Sequence, residues 1–541
     1  MPRHALGFIF LILSVLHLQS VTYAKNTDLK NANIILIVLD TFRRDFISRY
    51  QTSPSQTPNI DMFLEKSIEY RDAYTRNTYT LPSHTTMMSG LTPRKHGIRK
   101  NGQILSQSVQ MAPEILKQAG YTTAAFFEIA ALNDPSGFSR GFDIFQHCQS
   151  YHGPTIAHVS NWLQTLDRNP FFLLINLSTV HVSRELPRDV SPLYVGFSSK
   201  PPSCMRANRE LETIILVLPP GESNLVFDAR HLSKRDDLVT IPLRMAVWDL
   251  RLEPSQDISY SWASNVEYAE RVEYLVFPPE WTPHDIIFQD KTELHIRNNS
   301  NDDVLARIQF RAYPDYYIDV DGDRIQYGLS VVTADSLVGE LMSIIQKHTD
   351  ERKTVVILTS DHGEGLDDHR DRLHGHEVYE ESAHVPLGIL IPGRKPESRR
   401  GLVPLDALAP TLLDIAGQPI PDMMYQRSLA EMPWTGDDYL ISETYIESKA
   451  NLIEPLVDDY SVRSDSFSLV YDHIENQALL FDRIVDPFEQ TNISKSQAYS
   501  VDQYKATYTE FKNREQQDVY QSRESDDPEL IEALRKLGYV E

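Results

Sequence analysis

The sequence predicts an α/β protein built on a doubly wound mixed sheet, with a β-rich insert and a smaller C-terminal α+β subdomain. Three observations predict it. Apolar runs at 33–39, 171–177 and 354–358 read as strands buried on both faces, as in parallel sheets. Helical segments separate these runs, so strand and helix alternate. From about residue 204 to 312 the alternation stops, and strand-like runs recur with turn residues between them.

The elements follow in order. Residues 33–39 form the first strand, which ends at Asp40. Residues 58–66 read as a helix. So do residues 82–90, because proline is tolerated in the first helical turn, where an N–H has no partner to lose. Residues 113–120 form a short helix with Pro113 at its start and Gly120 at its end. A strand at 121–127, a helix at 158–166 and a strand at 171–177 complete the first half. The insert carries strand-like runs at 213–218, 238–252, 272–277, 286–288, 294–296 and 305–310, which read as a β-rich module such as a small sandwich, with an irregular surface excursion as the alternative. The α/β pattern resumes at Leu329. Residues 334–347 form a helix with Leu337, Leu341, Ile344 and Ile345 on one face. Residues 354–358 form a strand that delivers Asp361 and His362 at its C-terminal end. A strand at 386–391 and a helix at 405–416, ended by Gly417, follow. Residues 460–463 and 466–471 read as antiparallel strands. The tail from about 501 is polar and helical, and closes with a segment at 528–534. The expected division is a leader at 1–24, the main α/β domain at 25–203 and 313–425, the insert at 204–312, and the C-terminal subdomain at 426–541.

The chain has 541 residues, 41% of them hydrophobic, so a full core is affordable in length and composition. Its formal net charge of −24 argues against general nucleic-acid binding, which needs basic patches. An anionic small ligand stays open, since one cationic or metal-bearing cleft overrides the mean field. Arg3 and His4 precede an apolar run over 5–16, and Thr22-Tyr23-Ala24 is an acceptable cleavage site. The chain is therefore expected to be exported, secreted or periplasmic, with no stable membrane span after cleavage. Cys148 and Cys204 are compatible with a disulfide or with two separate thiols.

The chemistry centres on Thr80-Leu81-Pro82-Ser83-His84. It sets a hydroxyl at a helix start, whose free N–H groups and dipole attract an anion. Alone, the pentapeptide reads as an ordinary cap. Asp40 and Asp361-His362, however, lie beyond the carboxyl ends of two strands of one sheet, where open α/β sheets bind ligands. Two carboxylates and an imidazole suit one divalent cation. Oxygen ligands favour calcium, magnesium or manganese, and the imidazole admits manganese or zinc. With Thr80 as a further ligand, such an ion would lower the pKa of the hydroxyl and neutralise an ester oxyanion. Each residue alone has a plainer use as a strand-end cap or loop histidine. The ordered set is what points to chemistry.

With these motifs the chain resembles the sulfatase family of the alkaline phosphatase superfamily. The resemblance is carried by 33–45, by Thr57-Pro58-Asn59-Ile60-Asp61, and by Thr80 to His84 with Ser89-Gly90-Leu91-Thr92-Pro93 and His96-Gly97. It continues through Thr359-Ser360-Asp361-His362-Gly363-Glu364, His374-Gly375-His376 with Tyr379-Glu380-Glu381, and Phe481-Asp482, Asp486-Pro487 and Glu489-Gln490-Thr491-Asn492. It implies a metal-dependent ester hydrolase or transferase with Asp40, Thr80, Asp361 and His362 as ligands. Three positions depart from the family pattern. Thr80 stands where sulfatases have a Cys or Ser that is oxidised to formylglycine, His84 where they have Arg, and Thr41 where many have Asp. Threonine would oxidise to a ketone, so the variant resembles relatives that use an unmodified Thr and form a phosphothreonine.

The resemblance also implies His181 and His376 as catalytic groups and His84 and His374 as substrate contacts. Arg94, Lys95 and His96 read as a solvated turn. The expected substrate is a phosphoester, with a sulfate ester of a carbohydrate as the alternative. Its carrier is a small molecule, a lipid head group or a glycan. A non-catalytic glycan- or partner-binding protein on the same fold is the third reading.

Overall fold

The computed structural model describes residues 29–528 apart from several internal stretches, the longest being 182–191, 229–243, 269–285 and 446–456. The expected leader at 1–24, the strand at 272–277 and all of the closing segment past 528 lie outside the described residues.

A nine-stranded mixed sheet forms the centre. Its strands are β1 (Asn33–Leu39), β2 (Ile68–Tyr74), β3 (Thr122–Phe127), β4 (Ile144–His147), β5 (Phe171–Leu177), β6 (Thr354–Ser360), β7 (His384–Val385), β8 (Leu387–Leu390) and β9 (Glu397–Pro404). The order is β7-β2-β8-β6-β1-β5-β3-β4, with β9 paired to β2. β1 lies parallel between β6 and β5.

The β1 sequence explains its place. Successive side chains point to opposite faces of a strand, and here both sets are apolar. Ile34, Leu36 and Val38 join one core with helices α2 (Thr80–Ser89), α3 (Ala112–Gln118) and α6 (Leu408–Ile415). Ile35, Ile37 and Leu39 join the other with α1 (Pro58–Lys66), α4 (Gly153–Thr165) and α5 (Val320–His348). All six are buried, each contributing about 1.5–3 kcal/mol of hydrophobic stabilisation. Only the centre of a three-layer sandwich accommodates such a strand.

Several boundaries differ from expectation. α2 begins at Thr80, so the key hydroxyl is the first helical residue and Pro82 the third. α5 runs from Val320 rather than 334, and its buried stripe is Val331, Ala334, Val338, Leu341 and Ile345, with Leu337 and Ile344 only partly covered. The Arg94–His96 segment is no solvated turn. Arg94 is buried against Glu443 (Nε to Oε2, 2.8 Å), and His96 is fully buried with Nε2 3.0 Å from the Thr86 hydroxyl.

The strands between 192 and 315 form two five-stranded sheets, the first of them starting at Pro192, upstream of the expected boundary at 204. Asn298 of one sheet donates to the Leu218 carbonyl of the other (2.9 Å). Cys148 is a buried free thiol. Near the C-terminus a four-stranded antiparallel sheet (440–482) is covered by α7 (Ala498–Glu515) through Tyr504 and Phe511. Among the described residues no helix is long and apolar enough to cross a membrane.

Candidate active site

The register of the sheet builds the site. Leu39 of β1 pairs with Ser360 of β6, so the next residues, Asp40 and Asp361, emerge side by side at the carboxyl ends. The Asp40 amide donates to the Leu177 carbonyl of β5 at 2.9 Å, which anchors this turn on its other side. Thr41 then adopts a left-handed φ of 55°. That turn aims its N–H at Asp361 Oδ1 (3.1 Å), and Tyr327 of α5 donates its hydroxyl to the Thr41 carbonyl (2.5 Å). Position 41 thus serves the site through its backbone.

Asp361 Oδ1 also accepts from the His362 amide at 2.9 Å. Its Oδ2 and both oxygens of Asp40 are buried without a hydrogen-bond partner. His362 completes the group. Its Nδ1 donates to the Gly363 carbonyl (2.9 Å), and burial, then the neighbouring His374, lower its pKa to about 4. A neutral ring with hydrogen on Nδ1 must present the Nε2 lone pair inward. That nitrogen lies 3.4 Å from Asp361 Oδ2, 3.4 Å from the Thr80 hydroxyl and 4.0 Å from Asp40 Oδ1.

Burial, then Asp361, push the Asp40 carboxyl well above its usual range, and burial holds Asp361 up at about 7. Two crowded carboxylates with orphaned oxygens, an inward lone pair and a hydroxyl suit a divalent cation in charge and donor type. An ion there would reverse the cost of charging both acids.

Close packing holds the loop that follows Asp361 and His362. A Cβ on Gly363 would lie 1.9 Å from the Glu381 carbonyl oxygen, so only glycine fits. Arg43 is fully buried beneath it. Its guanidinium reaches Asp45 (2.8 Å), Asp368 (2.6 Å) and the carbonyls of Glu364 and Gly365 (both 3.2 Å).

The histidines separate into distinct groups. His374 lies beside His362 with ring centroids 4.5 Å apart, and its Nδ1 is held by Glu364 Oε1 at 3.0 Å. His181 continues the row, 4.9 Å from His374. His376 is exposed and packs edge-on to Tyr79, outside this row. Gly375 between them has a φ of 96°, and its missing side chain makes room for the Tyr79 ring. His84 is fully buried, with Nδ1 donating to the Thr80 carbonyl (3.0 Å) and Nε2 facing the Asn176 amide (3.4 Å). Burial lowers its pKa to about 3. Both nitrogens of His84 are thus engaged within the protein, and Nδ1 also lies 3.5 Å from Asp361 Oδ2.

The helix end is also less open than the sequence suggests. The Leu81 amide donates to Asn101 Oδ1 (2.9 Å), Pro82 has no N–H, and the Ser83 amide donates to the Tyr79 carbonyl (3.1 Å). The same Asn101 side chain keeps its buried Nδ2 without a hydrogen-bond partner. Sequence reasoning passes over Asn101, since Lys100-Asn101-Gly102 reads as a surface turn.

Among the described residues one other such group gathers, Asp459, Asp472 and His473. There His473 Nδ1 is paired to Asp459 Oδ1 at 2.8 Å on the C-terminal sheet.

Comparison with known proteins agrees with this architecture. Residues 32–418 match the family described as Sulfatase, and residues 372–517 match N-sulphoglucosamine sulphohydrolase, C-terminal. The chain is 22% identical over 507 residues to N-acetylglucosamine-6-O-sulfatase of Bacteroides thetaiotaomicron, covering 91% of this chain and 88% of that protein. It is 30% identical over 485 residues to arylsulfatase K of Bos taurus, covering 85% and 78%. Its fold is similar to that of the phosphonate monoester hydrolase of Agrobacterium radiobacter, with a TM-score of 0.56, 16% identity, and coverage of 90% of this chain and 96% of that one.

Proposed function

Because the chain belongs to the sulfatase family, and so to the metal-dependent hydrolases of sulfuric or phosphoric esters, we propose that its own ester is a phosphoester attacked by the unmodified Thr80 hydroxyl. One observation carries this reading. Residue 80 is a threonine, and its Oγ1 lies 3.4 Å from His362 Nε2, the nitrogen that also approaches Asp361 and Asp40. The methyl on its Cβ would stop oxidation at a ketone, so the aldehyde hydrate used by sulfatases cannot form there. A hydroxyl remains, and phosphorus is the centre it would attack in a double displacement.

Asp40, Asp361, His362 and Thr80 would hold one divalent cation. When bound, it would acidify the Thr80 hydroxyl and neutralise charge on the ester oxygens. The chain's own groups do the rest. Thr80 Oγ1 forms a bond to phosphorus as the alcohol leaves, giving phosphothreonine. Water then attacks phosphorus and returns the Thr80 hydroxyl. Asn101 Nδ2 donates to a non-bridging oxygen as charge builds on it. His374, oriented by Glu364, supplies the proton to the leaving alcohol, with His181 at its side. The apolar leader at 5–16 supports export to a secreted or periplasmic location.

The test is intact-protein and peptide mass spectrometry after brief incubation with an aryl phosphodiester. A phosphorylated Thr80 peptide is expected, and Thr80→Ala should lose the mark and at least about 10²-fold in kcat. A Thr80→Ala variant as active as wild type would sink the reading.

A second reading has its own support. One relative matched over most of its length is named N-acetylglucosamine-6-O-sulfatase, which favours a sulfated carbohydrate. Comparing phosphodiester, phosphomonoester, phosphonate and sulfate esters on one preparation decides between the two.

A further inference from the structure

None of Asp40, Thr80, Asp361 and His362 lines a cavity of about 260 Å³ formed by the segment after β1, by β2, and by the residues around Glu380 and Phe488. Four arginines line it, namely Arg44, Arg71, Arg400 and Arg483. Four carboxylates line it too, so the question is which charges are already matched.

Asp45 is taken by Arg43 at 2.8 Å. Glu381 is taken by His369 at 2.7 Å, and Glu380 by His384 at 2.5 Å and Arg463 at 3.6 Å. Asp72 is shared loosely by Arg483 (3.8 Å) and Arg400 (3.9 Å). Arg44 is left with no carboxylate in ion-pair reach among the described residues, and its buried Nε has no hydrogen-bond partner. Arg71 is nearly as bare. Its buried Nε is also unpartnered, and its one approach to a carboxylate among the described residues, 3.9 Å to Glu69, is to an acid already held by the Tyr50 hydroxyl (2.5 Å) and Arg49 (3.5 Å).

Both unmatched guanidinium groups are fixed on one ring. Arg44 stacks 3.6 Å from the Tyr50 centroid and Arg71 lies 5.1 Å from it. Such stacking orients a planar fork without using its N–H groups. Two pre-oriented forks at one cavity, neither with an N–H spent on a hydrogen bond among the described residues, are matched by a group that offers several acceptor oxygens and negative charge. At about 30 Å³ per water in the liquid, the cavity has room for a hydrated tetrahedral oxyanion.

We propose that this cavity is a binding site, separate from the catalytic centre, for a sulfate or phosphate group held between Arg44 and Arg71. The group is either a free inorganic anion or a second anionic substituent on an extended substrate. Only the latter source rests on the glycan reading given above.

The test uses the full chain and isothermal titration with sodium sulfate and, separately, with a monosulfated disaccharide. Wild type is expected to show two sulfate-binding events, and the Arg44→Gln/Arg71→Gln double variant only one. The lost event should weaken by about tenfold or more, the worth of one charge-assisted contact. If sulfate gives one event in both proteins but the disaccharide weakens tenfold in the variant, the site is for a sugar-borne group. Unchanged binding of both probes overturns the proposal. Arg44→Lys keeps the charge and loses the fork, and decides the matter if the double variant unfolds. Weaker binding then supports the site and equal binding overturns it. Turnover of a small aryl ester should stay at the wild-type level in Arg44→Gln. A parallel fall in turnover would mean that the cavity is part of the catalytic centre, and would overturn a separate site. A wild type that turns over no ester refutes the functional reading and leaves the sulfate titration to judge the cavity.

Discussion

Asp361 accepts a hydrogen bond through Oδ1 from the Thr41 amide, 3.1 Å away and 320 positions earlier in the chain. With the His362 amide on the same atom, one oxygen of the carboxylate is spent on holding two strand ends together. The other, Oδ2, faces His362 Nε2 with no hydrogen-bond partner. A single side chain thus divides its work between scaffold and chemistry.

Asp361→Asn separates the two tasks. The amide oxygen can still accept from Thr41 and His362, while the charge at Oδ2 is gone. Metal affinity should fall by more than the roughly 10–100-fold that partners outside the ligand set cost, with only a small shift in urea midpoint. Elemental analysis beside a denaturation curve checks this. Full metal occupancy in the variant would rule Asp361 out as a ligand.

His374 and His376 give opposite expectations although they differ by two positions. His374→Gln should lower kcat by about 10²–10⁴-fold and remove one limb of the pH–rate profile, as loss of a general acid does. His376→Gln should leave kcat essentially unchanged, because its ring is exposed beside Tyr79. Steady-state kinetics over pH on both variants separates them, and a deeper loss at 376 would reverse the assignment.

His369 provides a pH dependence that does not touch the ligand set. Its Nδ1 faces Glu381 Oε1 at 2.7 Å and its Nε2 donates to the Glu489 carbonyl at 2.9 Å, so both nitrogens carry hydrogen. Burial opposes the charge, but Glu381 prevails and raises the pKa from 6.5 to about 9. The folded state therefore holds this proton more tightly than the unfolded chain does. The stabilisation is complete below pH 6.5 and is lost as pH rises through about 9. Unfolding free energies across that window should decline with pH in the wild type, and decline less in His369→Gln. Equal slopes would show that the pair contributes nothing.

The central strands of the sheet, including the two that end at the candidate ligands, are legible in the sequence because β1, β5 and β6 are apolar on both faces. β2 is not, since Glu69, Arg71 and Asp72 interrupt it. Glu69 is nonetheless buried, and the Tyr50 hydroxyl and Arg49 partner it from elsewhere in the chain. The inward turn of His84 was encoded locally. Four residues after Thr80 on a helix, its ring lies over the turn that bears the Thr80 carbonyl. Asn101 left no such signal, because its tie to Leu81 bridges a helix and a loop whose approach only the folded chain creates.

The pairing of β1 with β6 also sets an order of events during synthesis. β1 leaves the ribosome early, whereas its neighbour arrives only after the whole insert and α5 have been made. Until then the most apolar strand of the sheet has one bare edge, the kind of surface that recruits foreign strands. By the same arrangement, Asp40 and Thr80 acquire Asp361 and His362 as neighbours only when translation is about two-thirds complete.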